Sequence, residues 1–231
     1  MPRDVGVVVV AAGRGERLGG NVPKQYLAIA GIPMLLRALR PFTSHPAVAH
    51  VVVVLPAEGV AAPPAWLTPH LGGSLSLVAG GAERMDSVAA GLAALPPNCS
   101  VVLVHDAARP FVSAEVIDRV IAGARRGTAT VPAVPVSDTL KETQAADPAR
   151  VTRTVPRDRL WRAQTPQGFP RQLLEAAHAR GRTLSERATD DAALVELQGG
   201  EVRLVPGDDR NVKITTTQDL ALAALLVPEG S

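Results

Sequence analysis

The loop that follows the first apolar run carries the residue types that receive a nucleotide phosphate. A valine-rich run stops at three small residues, which let the backbone come close to a ligand because almost no side chain is in the way. Arg17 and Lys24 then bring positive charge to the same loop. Nucleotidyl and phosphoryl transfer need mainly positioning and the neutralisation of oxygen charge, so the loop suits such a reaction. The three small residues are Ala11, Ala12 and Gly13.

Lysine is rare in this chain, and its rarity draws attention to Lys24 and Lys213. Only three of the 24 Lys and Arg residues are lysines, namely Lys24, Lys141 and Lys213. A compact ammonium can approach a phosphate as a point charge where a planar guanidinium would not fit. Lys213 lies in the sequence RNVKIT, near the predicted start of a late strand, where a lone cation is usually only solvated. Its rarity favours a role in phosphate binding.

A second candidate motif is HDAARP, residues 105–110, at the carboxyl end of the fourth apolar run. Asp106 could hold a divalent metal, a ribose hydroxyl or a substrate hydroxyl, because a carboxylate facing a phosphate site needs a cation or a donor beside it. Arg109 could contact the same ligand. It could equally form a structural ion pair with Asp106, since such pairs also occupy strand ends.

A third candidate motif is AGGAERMDSV, residues 79–88, which follows the third apolar run and opens a helix. Gly81 leaves space into which a flat base could slide, and Ser87 offers a hydroxyl to the edge of that base. The alternative is an ordinary helix start with a solvated Arg84. For four further candidate site residues, the sequence alone does not distinguish a functional role from a structural one. Thr189, for example, could simply be a helix N-cap. They are Thr139, Arg157, Thr165 and Thr189.

Two other phosphate-binding motifs fit the glycine loop less well. Gly13, Gly15 and Gly19 have roughly the spacing of a dinucleotide fingerprint, but Pro23 keeps the chain irregular where the helix should begin. A P-loop requires a glycine directly before the lysine and Ser or Thr after it, and neither accompanies Lys24. A dinucleotide-dependent oxidoreductase is therefore a weaker hypothesis, as is a nucleotide sensor without turnover.

The elements that must position these residues alternate between strands and helices. We predict strands at Val5–Val10, His50–Leu55, Leu75–Val78, Val101–Val104 and Ala129–Val134, and helices at Pro33–Phe42, Met85–Leu95, Ala114–Gly127 and Arg171–Arg180. This order predicts a Rossmann-like α/β fold, with a mostly parallel sheet between two layers of helices. Ligands of such sheets bind at the carboxyl ends of the strands, where the three motifs lie.

One segment breaks the alternation and predicts a β-ribbon arm at about residues 136–158. Ser137–Glu142 and Val151–Val155 are rich in threonine and flank a predicted turn at Asp147 and Pro148. A two-stranded ribbon is marginal alone, so it must pack on the domain or on a partner subunit. We expect residues 1–231 to form one domain with this arm.

Composition excludes several other classes of protein. A net charge of +2, with no dense basic tract, argues against nucleic-acid binding. The N-terminal apolar run is too short for a membrane span. Cys99 is the only cysteine, so an internal disulfide is impossible and a reducing compartment is favoured. We therefore expect a cytoplasmic enzyme.

Seven motifs together resemble the 2-C-methyl-D-erythritol 4-phosphate cytidylyltransferase family of the non-mevalonate isoprenoid pathway. In chain order they are AAGRGERLGGNVPKQY, GGAERMDSV, HDAARPFV, DTLK, TPQGF, TDDA and RNVKIT. The resemblance covers nearly the whole chain. It implies condensation of CTP with methylerythritol phosphate, releasing pyrophosphate, in the presence of Mg²⁺. A cytidylyltransferase for ribitol 5-phosphate or another pentitol phosphate is the alternative, because it shares the nucleotide half of the site.

The resemblance also assigns roles to the candidate residues. Arg17 and Lys24 correspond to transition-state stabilisers, while Arg157 and Lys213 position the substrate phosphate. Mg²⁺ is expected to be held mainly by the CTP phosphates, with Asp106 a possible ligand. Family members are homodimers whose arm reaches over the neighbour's site. The residues implied to bind nucleotide are Ala11, Ala12, Gly13, Gly81 and Ser87, and those implied to bind the alcohol phosphate are Asp106, Arg109, Thr139, Thr165 and Thr189.

Overall fold

A central sheet with helices on both sides forms the body of the molecule, as seen in a computed structural model that describes residues 2–13, 22–181 and 188–227. The strands are β1 (Val5–Val10), β2 (Ala28–Ile29), β3 (Ile32–Pro33), β4 (Val48–Leu55), β5 (Leu75–Ala79), β6 (Val101–Asp106), β7 (Ala129–Pro135), β8 (Leu140–Gln144), β9 (Asp147–Val155), β10 (Trp161–Ala163), β11 (Gln167–Pro170) and β12 (Val202–Pro206). The helices are α1 (Met34–Thr43), α2 (Ala57–Ala61), α3 (Arg84–Ala94), α4 (Ala114–Arg125), α5 (Arg171–Gly181), α6 (Asp191–Glu196) and α7 (Thr217–Leu225).

The main sheet of the described residues has eight strands, in the order β10, β7, β11, β6, β1, β4 and β5, with β12 also pairing with β7. The pairs β1/β4, β1/β6, β4/β5 and β7/β12 are parallel, whereas β10 and β11 run antiparallel to their neighbours. The predicted mostly parallel α/β sheet is confirmed. The carboxyl ends of β1, β4, β5 and β6 consequently share one edge.

Most of the core of the described residues lies in two layers, one on each face of the sheet, and a smaller cluster packs around Met34 and Ile214. Alternate valines of β1 supply both layers, because successive side chains of a strand point to opposite faces. Val7 and Val9 pack in the layer that contains buried residues of α1 and α4. Val8 packs in the other layer, with residues of α3 and α5. Burial of both faces explains why these strands are continuous apolar runs.

The five strands and four helices predicted with bounds for the body exist, and one boundary changes the site. β6 continues two residues beyond the predicted end at Val104, so Asp106 is the last residue of a strand and not part of a loop. Ser113 caps α4 by accepting a hydrogen bond from the Val116 amide. The short strands β10, β11 and β12 were not predicted.

The ribbon also exists, but its turn lies earlier than predicted. β8 pairs antiparallel with β9, and the turn is formed by residues 145–146, because Asp147 already belongs to β9. The residues of β8 are exposed, as are those of β9 up to its last residue. Within the described residues, no apolar surface therefore covers the ribbon, although a two-stranded ribbon is marginal alone.

Candidate functional site

A cavity of about 310 Å³ opens at the carboxyl edge of the sheet, where the ends of β1, β5 and β6 meet. Backbone hydrogen bonds continue past the strand ends and hold the loops together. The Ala11 amide donates to the Val54 carbonyl over 2.8 Å, and the Ala107 amide donates to the Val10 carbonyl over 3.1 Å. The residues that line the cavity include Ala11, Ala12, Gly13, Lys24, Gly81, Arg84, Ser87, Asp106 and Lys213.

Small residues make one wall of this cavity. A Cβ atom on Gly80 would lie 2.7 Å from the Ala12 Cβ and 2.6 Å from the Ser87 hydroxyl, so the wall can form only because position 80 has no side chain. Ser87 is buried, and its hydroxyl donates to the Glu83 carbonyl over 3.2 Å. The Ser87 oxygen can still accept a hydrogen bond from a ligand, because a hydroxyl has two acceptor lone pairs. The structure thus brings together the predicted nucleotide-binding residues.

Lys24 reaches the cavity from a short 3₁₀ turn, Lys24–Tyr26. Neighbouring side chains secure the turn. Gln25 is buried, and the Tyr26 ring packs edge-on against Trp66 with ring centroids 5.6 Å apart. The Leu27 amide closes the turn by donating to the Lys24 carbonyl over 3.1 Å. Arg17, the other predicted transition-state stabiliser, lies outside the described residues.

Asp106 is held between two cations at the end of β6. Its Oδ2 accepts a hydrogen bond from Lys213 Nζ at 2.7 Å, and its Oδ1 lies 3.4 Å from a terminal nitrogen of Arg84. Burial alone would raise the pKa of this carboxyl, but the charges of Arg84 and Lys213 outweigh burial and lower the pKa to about 2. Asp106 is therefore ionised at every pH at which the protein would work. Lys213 lies in an irregular segment, so the predicted strand around it is wrong.

Arg84 extends this network into the core, so the reading of Arg84 as a solvated residue is wrong. Its second terminal nitrogen donates to Asp191 Oδ2 over 2.7 Å. Asp191 is almost fully buried, and its other oxygen accepts from His178 Nε2 over 3.0 Å. Burial raises the pKa of Asp191, but the hydrogen bond from His178 and the charge of Arg84 together bring it below its usual range. Five residues thus alternate basic and acidic from the cavity to the interior.

His105 fixes the hydroxyl of Thr165 beneath Asp106. His105 Nε2 donates to the Arg109 carbonyl over 3.0 Å, which leaves Nδ1 as the acceptor for the Thr165 hydroxyl at 3.0 Å. The Thr165 oxygen in turn accepts from the Asp106 amide at 3.1 Å. Burial lowers the pKa of His105 to about 4, so the ring stays neutral and keeps this tautomer near pH 7.

Arg109 braces the backbone near the site and does not form the ion pair with Asp106 that was one of its two sequence interpretations. Its two terminal nitrogens donate to the carbonyls of Asn211 and Ala163, over 2.7 and 3.2 Å. The Asn211 side chain donates to the Thr165 carbonyl over 2.8 Å. Arg109 therefore ties the segment that carries Lys213 to the segment that carries Thr165.

Besides Arg109 and Thr165, three more predicted substrate residues lie outside the residues that line the cavity. Thr139 and Arg157 are exposed at the base of the ribbon, where the Arg157 guanidinium donates to the Ser137 carbonyl. Thr189 is exposed before α6, and Asp190 caps that helix by accepting from the Ala193 amide over 2.8 Å. The interpretation of Thr189 as the N-cap is therefore wrong. A single chain does not bring Thr139 and Arg157 to the cavity.

The carboxylates of the site fit a metal that arrives with a nucleotide better than a metal held by the protein alone. Within the described residues, no group of three His, Cys, Asp or Glu side chains could hold a metal ion. Both oxygens of Asp106 already contact cations. Mg²⁺ commonly uses one or two carboxylates together with substrate phosphates, so Asp106 could complete such a shell.

The arrangement as a whole suits an anionic nucleotide that reacts with a second anionic substrate. Lys24 and Lys213 both line the cavity, and the backbone wall beside them leaves room for phosphates. Sequence reasoning missed the link from Arg84 to Asp191 and His178. The only signal for it was an arginine in the motif AGGAERMDSV, and nothing in that motif identified its partners.

A family model and curated relatives match nearly the whole chain. The model described as 2-C-methyl-D-erythritol 4-phosphate cytidylyltransferase matches residues 5–229. The protein of that name from Salinibacter ruber is 46% identical over 223 residues, which cover 96% of this chain and 92% of the relative. The one from Frankia casuarinae is also 46% identical, over 96% of this chain and 81% of the relative.

Solved structures match the fold over a similar range. The 2-C-methyl-D-erythritol 4-phosphate cytidylyltransferase from Thermus thermophilus superposes with a TM-score of 0.80 at 40% identity, covering 96% of this chain and 98% of the other. A 4-diphosphocytidyl-2C-methyl-D-erythritol synthase from Anaerococcus prevotii gives a TM-score of 0.83 at 28% identity, covering 96% and 94%.

Proposed function

Because the chain belongs to the 2-C-methyl-D-erythritol 4-phosphate cytidylyltransferase family, we propose that CTP and 2-C-methyl-D-erythritol 4-phosphate react in the cavity at the carboxyl edge of its sheet. The chain is a nucleotidyltransferase of isoprenoid biosynthesis. Its products are 4-diphosphocytidyl-2-C-methyl-D-erythritol and pyrophosphate. The comparisons give no support to the pentitol-phosphate alternative. The observation that carries the proposal is the convergence of Lys24, Lys213 and the Ala11–Gly13 backbone on one cavity.

The reaction brings an anion to an anion, and the cations of the site offset that repulsion. The phosphate of the alcohol substrate is already ionised, so it can attack the α-phosphate of CTP without a general base. Lys24, with Arg17 beyond the described residues, would neutralise charge that develops on the α-phosphate. The backbone of Ala11, Ala12 and Gly13 would contact the nucleotide. Gly81 and Ser87 would contact its cytosine base.

The alcohol phosphate would lie on the Asp106 and Lys213 side of the cavity. Lys213 can attract the attacking phosphate, while the ionised Asp106 accepts hydrogen bonds from hydroxyl groups of the substrate. Thr165 and Arg109 hold this side in shape through Asp106 and Asn211. We place Thr189 at the outer edge of the same subsite.

We propose Mg²⁺ as the divalent cation. It would be bound mainly by the CTP phosphates. When bound, the ion supplies positive charge to the phosphates. Asp106, Lys24 and Lys213 supply the protein's share of positioning and charge around it.

We also propose a homodimer in which the ribbon of one subunit covers the site of the other. The support is that the ribbon is exposed and that Thr139 and Arg157 lie away from the cavity of their own chain. In a partner's site, Arg157 would add a cation for the attacking phosphate.

No helix in the described part of the chain is long and apolar enough to cross a membrane. The lone, buried Cys99 supports our proposal of a cytoplasmic location.

The role of Lys24 can be tested with Lys24→Ala in a pyrophosphate-release assay. We expect kcat to fall on the order of 10²- to 10³-fold, because one preorganised charge stabiliser is removed. Arg203→Ala is the matched control, since it removes an exposed cation on β12. Activity of Lys24→Ala close to that of the control would contradict the assigned role.

The substrate can be tested by turnover with CTP across a panel of alcohol phosphates. We expect the highest kcat/KM with 2-C-methyl-D-erythritol 4-phosphate. A higher kcat/KM with ribitol 5-phosphate would overturn the substrate assignment, and binding of NAD without binding of CTP would overturn the reaction class.

The shared site can be tested by mixing two inactive variants. Lys24→Ala and Arg157→Ala subunits, once exchanged, should regain activity, because one of the two composite sites then keeps both residues. Verified exchange without recovery would show that Arg157 serves its own chain.

A further inference from the structure

We propose that Asp191, a buried carboxylate outside the cavity, is a positioning residue that sets the orientation of Asp106 through Arg84 and so controls binding of the alcohol phosphate. The proposal rests on the function proposed above and deepens it. It concerns the alcohol-phosphate subsite and not the nucleotide subsite. No contact between Asp191 and a substrate is needed.

The first support is the geometry of Arg84, whose two terminal nitrogens serve different carboxylates. One nitrogen lies 2.7 Å from Asp191 and the other lies 3.4 Å from Asp106. The shorter contact is to the buried partner, so Asp191 is the anchor and Asp106 is the group that is held. A guanidinium can bridge two acceptors in this way because its donors form a rigid planar fork.

The second support is burial, which is much greater for Asp191 in the core than for Asp106 at the cavity. The side chain of Lys213 is 46% exposed, that of Asp106 is 14% exposed, and that of Asp191 is 1% exposed. Charge pairs are strengthened where water is excluded, so the inner pair is the rigid end of the network. His178 in α5 completes the shell of Asp191 from the other side, at 3.0 Å.

The third support is the fold, because the network joins three separate elements. Arg84 begins α3, Asp106 ends β6 and Asp191 begins α6. Gln167 of β11 also fastens the start of α6, since its side-chain amide donates to Asp190 and its oxygen accepts from the Ala192 amide. Asp191 is thereby fixed to the sheet and can transmit that position to Asp106.

The charges explain why Asp106 needs an anchor. Lys213 and Arg84 pull on different oxygens of one carboxylate, and an incoming phosphate would compete with Asp106 for Lys213. Arg84 keeps hold of Oδ1 only if its own position is fixed. Without the negative charge of Asp191, Arg84 would be free to follow the phosphate, and Asp106 would lose its orientation toward the hydroxyl groups of the alcohol.

The test is a double-mutant cycle with Asp191→Asn and Arg84→Lys, assayed with both substrates. Asp191→Asn keeps the shape but removes the charge, and Arg84→Lys keeps the charge but removes the fork. We expect each single variant to raise the KM for methylerythritol phosphate about tenfold or more, since a charge-assisted hydrogen bond is lost. Asp191→Asn should leave the KM for CTP within about twofold of wild type, because the residue lies behind the nucleotide subsite.

The double variant provides the decisive comparison. If the two residues act through one link, Asp191→Asn should add little to the loss already caused by Arg84→Lys. Glu201→Gln, which breaks the exposed pair with Arg203 on the far strand β12, is the matched control and should leave both KM values unchanged.

Three outcomes would overturn the proposal. They are additive effects of the two substitutions, equal increases in both KM values, and a fall in thermal stability with both KM values unchanged. If Asp191→Asn does not fold, Arg84→Lys and its KM values still decide the matter, because Arg84 is only partly buried. Failure of the proposed function itself would show separately, as the absence of wild-type turnover with methylerythritol phosphate.

Discussion

His105 is a histidine whose surroundings keep it neutral across most of the pH range of a cell. Burial lowers its pKa from 6.5 to about 4, although the Arg109 carbonyl partly compensates. An unfolded chain therefore binds a proton between pH 6.5 and 4 that the folded chain does not, so the folded state loses stability as the pH falls through this range. In the folded protein, the hydrogen bond between His105 and Thr165 is lost only as the pH falls through about 4, where the ring takes up a proton.

We predict that wild-type protein loses about 2 kcal/mol more unfolding free energy between pH 7 and pH 5 than the variant His105→Gln, which has no ring to titrate. Urea unfolding of both proteins at the two pH values measures the difference. Equal losses would show that His105 titrates normally in the folded protein.

Asp106 has the opposite pH dependence. Its folded pKa of about 2 lies below the ordinary 3.8, so its stabilising contribution is complete above pH 4 and is lost as the pH falls toward 2. We predict that the unfolding free energy of Asp106→Asn declines less steeply between pH 5 and pH 2.5 than that of the wild type. The slope of unfolding free energy against pH should decrease by an amount that corresponds to at most one bound proton. An unchanged slope would mean that the two cations do not hold this carboxyl.

At the scale of single residues, the sequence revealed which side chains carry charge but not which of them meet. The candidates Asp106, Lys24 and Lys213 do line one cavity. The partners of Arg84 could not be predicted because they lie 22 and 107 positions away in the chain, beyond the reach of any local pattern. Ion pairs of this kind depend on strand order, which a list of motifs does not contain.

Among the elements, α3 packs closely against the sheet at a glycine. A Cβ atom on Gly91 would lie 2.4 Å from Val8 of β1, so the helix sits as close to the strand as a glycine allows. This closeness brings Gly81 and Ser87, at the start of the helix, up to the end of β1. The glycine is thus part of the geometry of the base-binding wall.

We predict that Gly91→Ala destabilises the protein by about 1–3 kcal/mol, because overpacking outweighs the gain in helix propensity. Ala93→Gly, at an exposed position of the same helix, is the matched control and should cost about 1 kcal/mol through propensity alone. Denaturant unfolding measures both. A stabilised Gly91→Ala would show that the contact with Val8 relaxes without cost.

The elements that sequence reasoning found and missed differ in a physical way. Strands buried on both faces are long apolar runs, and β1, β4 and β6 were recognised for that reason. β10 is an exposed three-residue strand, and β11 contains Gly168 and Pro170, so neither has a pattern that distinguishes it from a loop. Both pair antiparallel with neighbours, and their pairing, not their composition, makes them strands.

At the scale of the whole molecule, the body and the ribbon are separable structures. The paired neighbours of β8 and β9 within the described residues are each other, and the ribbon leaves the body where the Val136 amide donates to the Leu160 carbonyl over 3.1 Å. The two ends of the ribbon are therefore close enough to be joined by a short turn. The core of the body does not include ribbon residues.

We predict that replacing residues 139–156 with a short Gly-Ser turn leaves the thermal midpoint of the body within a few degrees of wild type. The same change should halve the molar mass measured by sedimentation, because the proposed contact between subunits is lost. It should also abolish turnover, because Arg157 would no longer be brought to the partner's site. A replacement that remains dimeric would place the interface elsewhere.

The edge-on contact between Tyr26 and Trp66 also provides an optical probe of the site. The chain has two tryptophans, and Trp161 lies on the exposed strand next to the ribbon. Each indole therefore emits from a different part of the molecule, one beside the turn that carries Lys24 and one beside the arm. In the Trp161→Phe variant, the fluorescence of Trp66 would report when a nucleotide binds beside Lys24. With Trp66→Phe, it would report the arrival of a second subunit, so the two events could be timed separately.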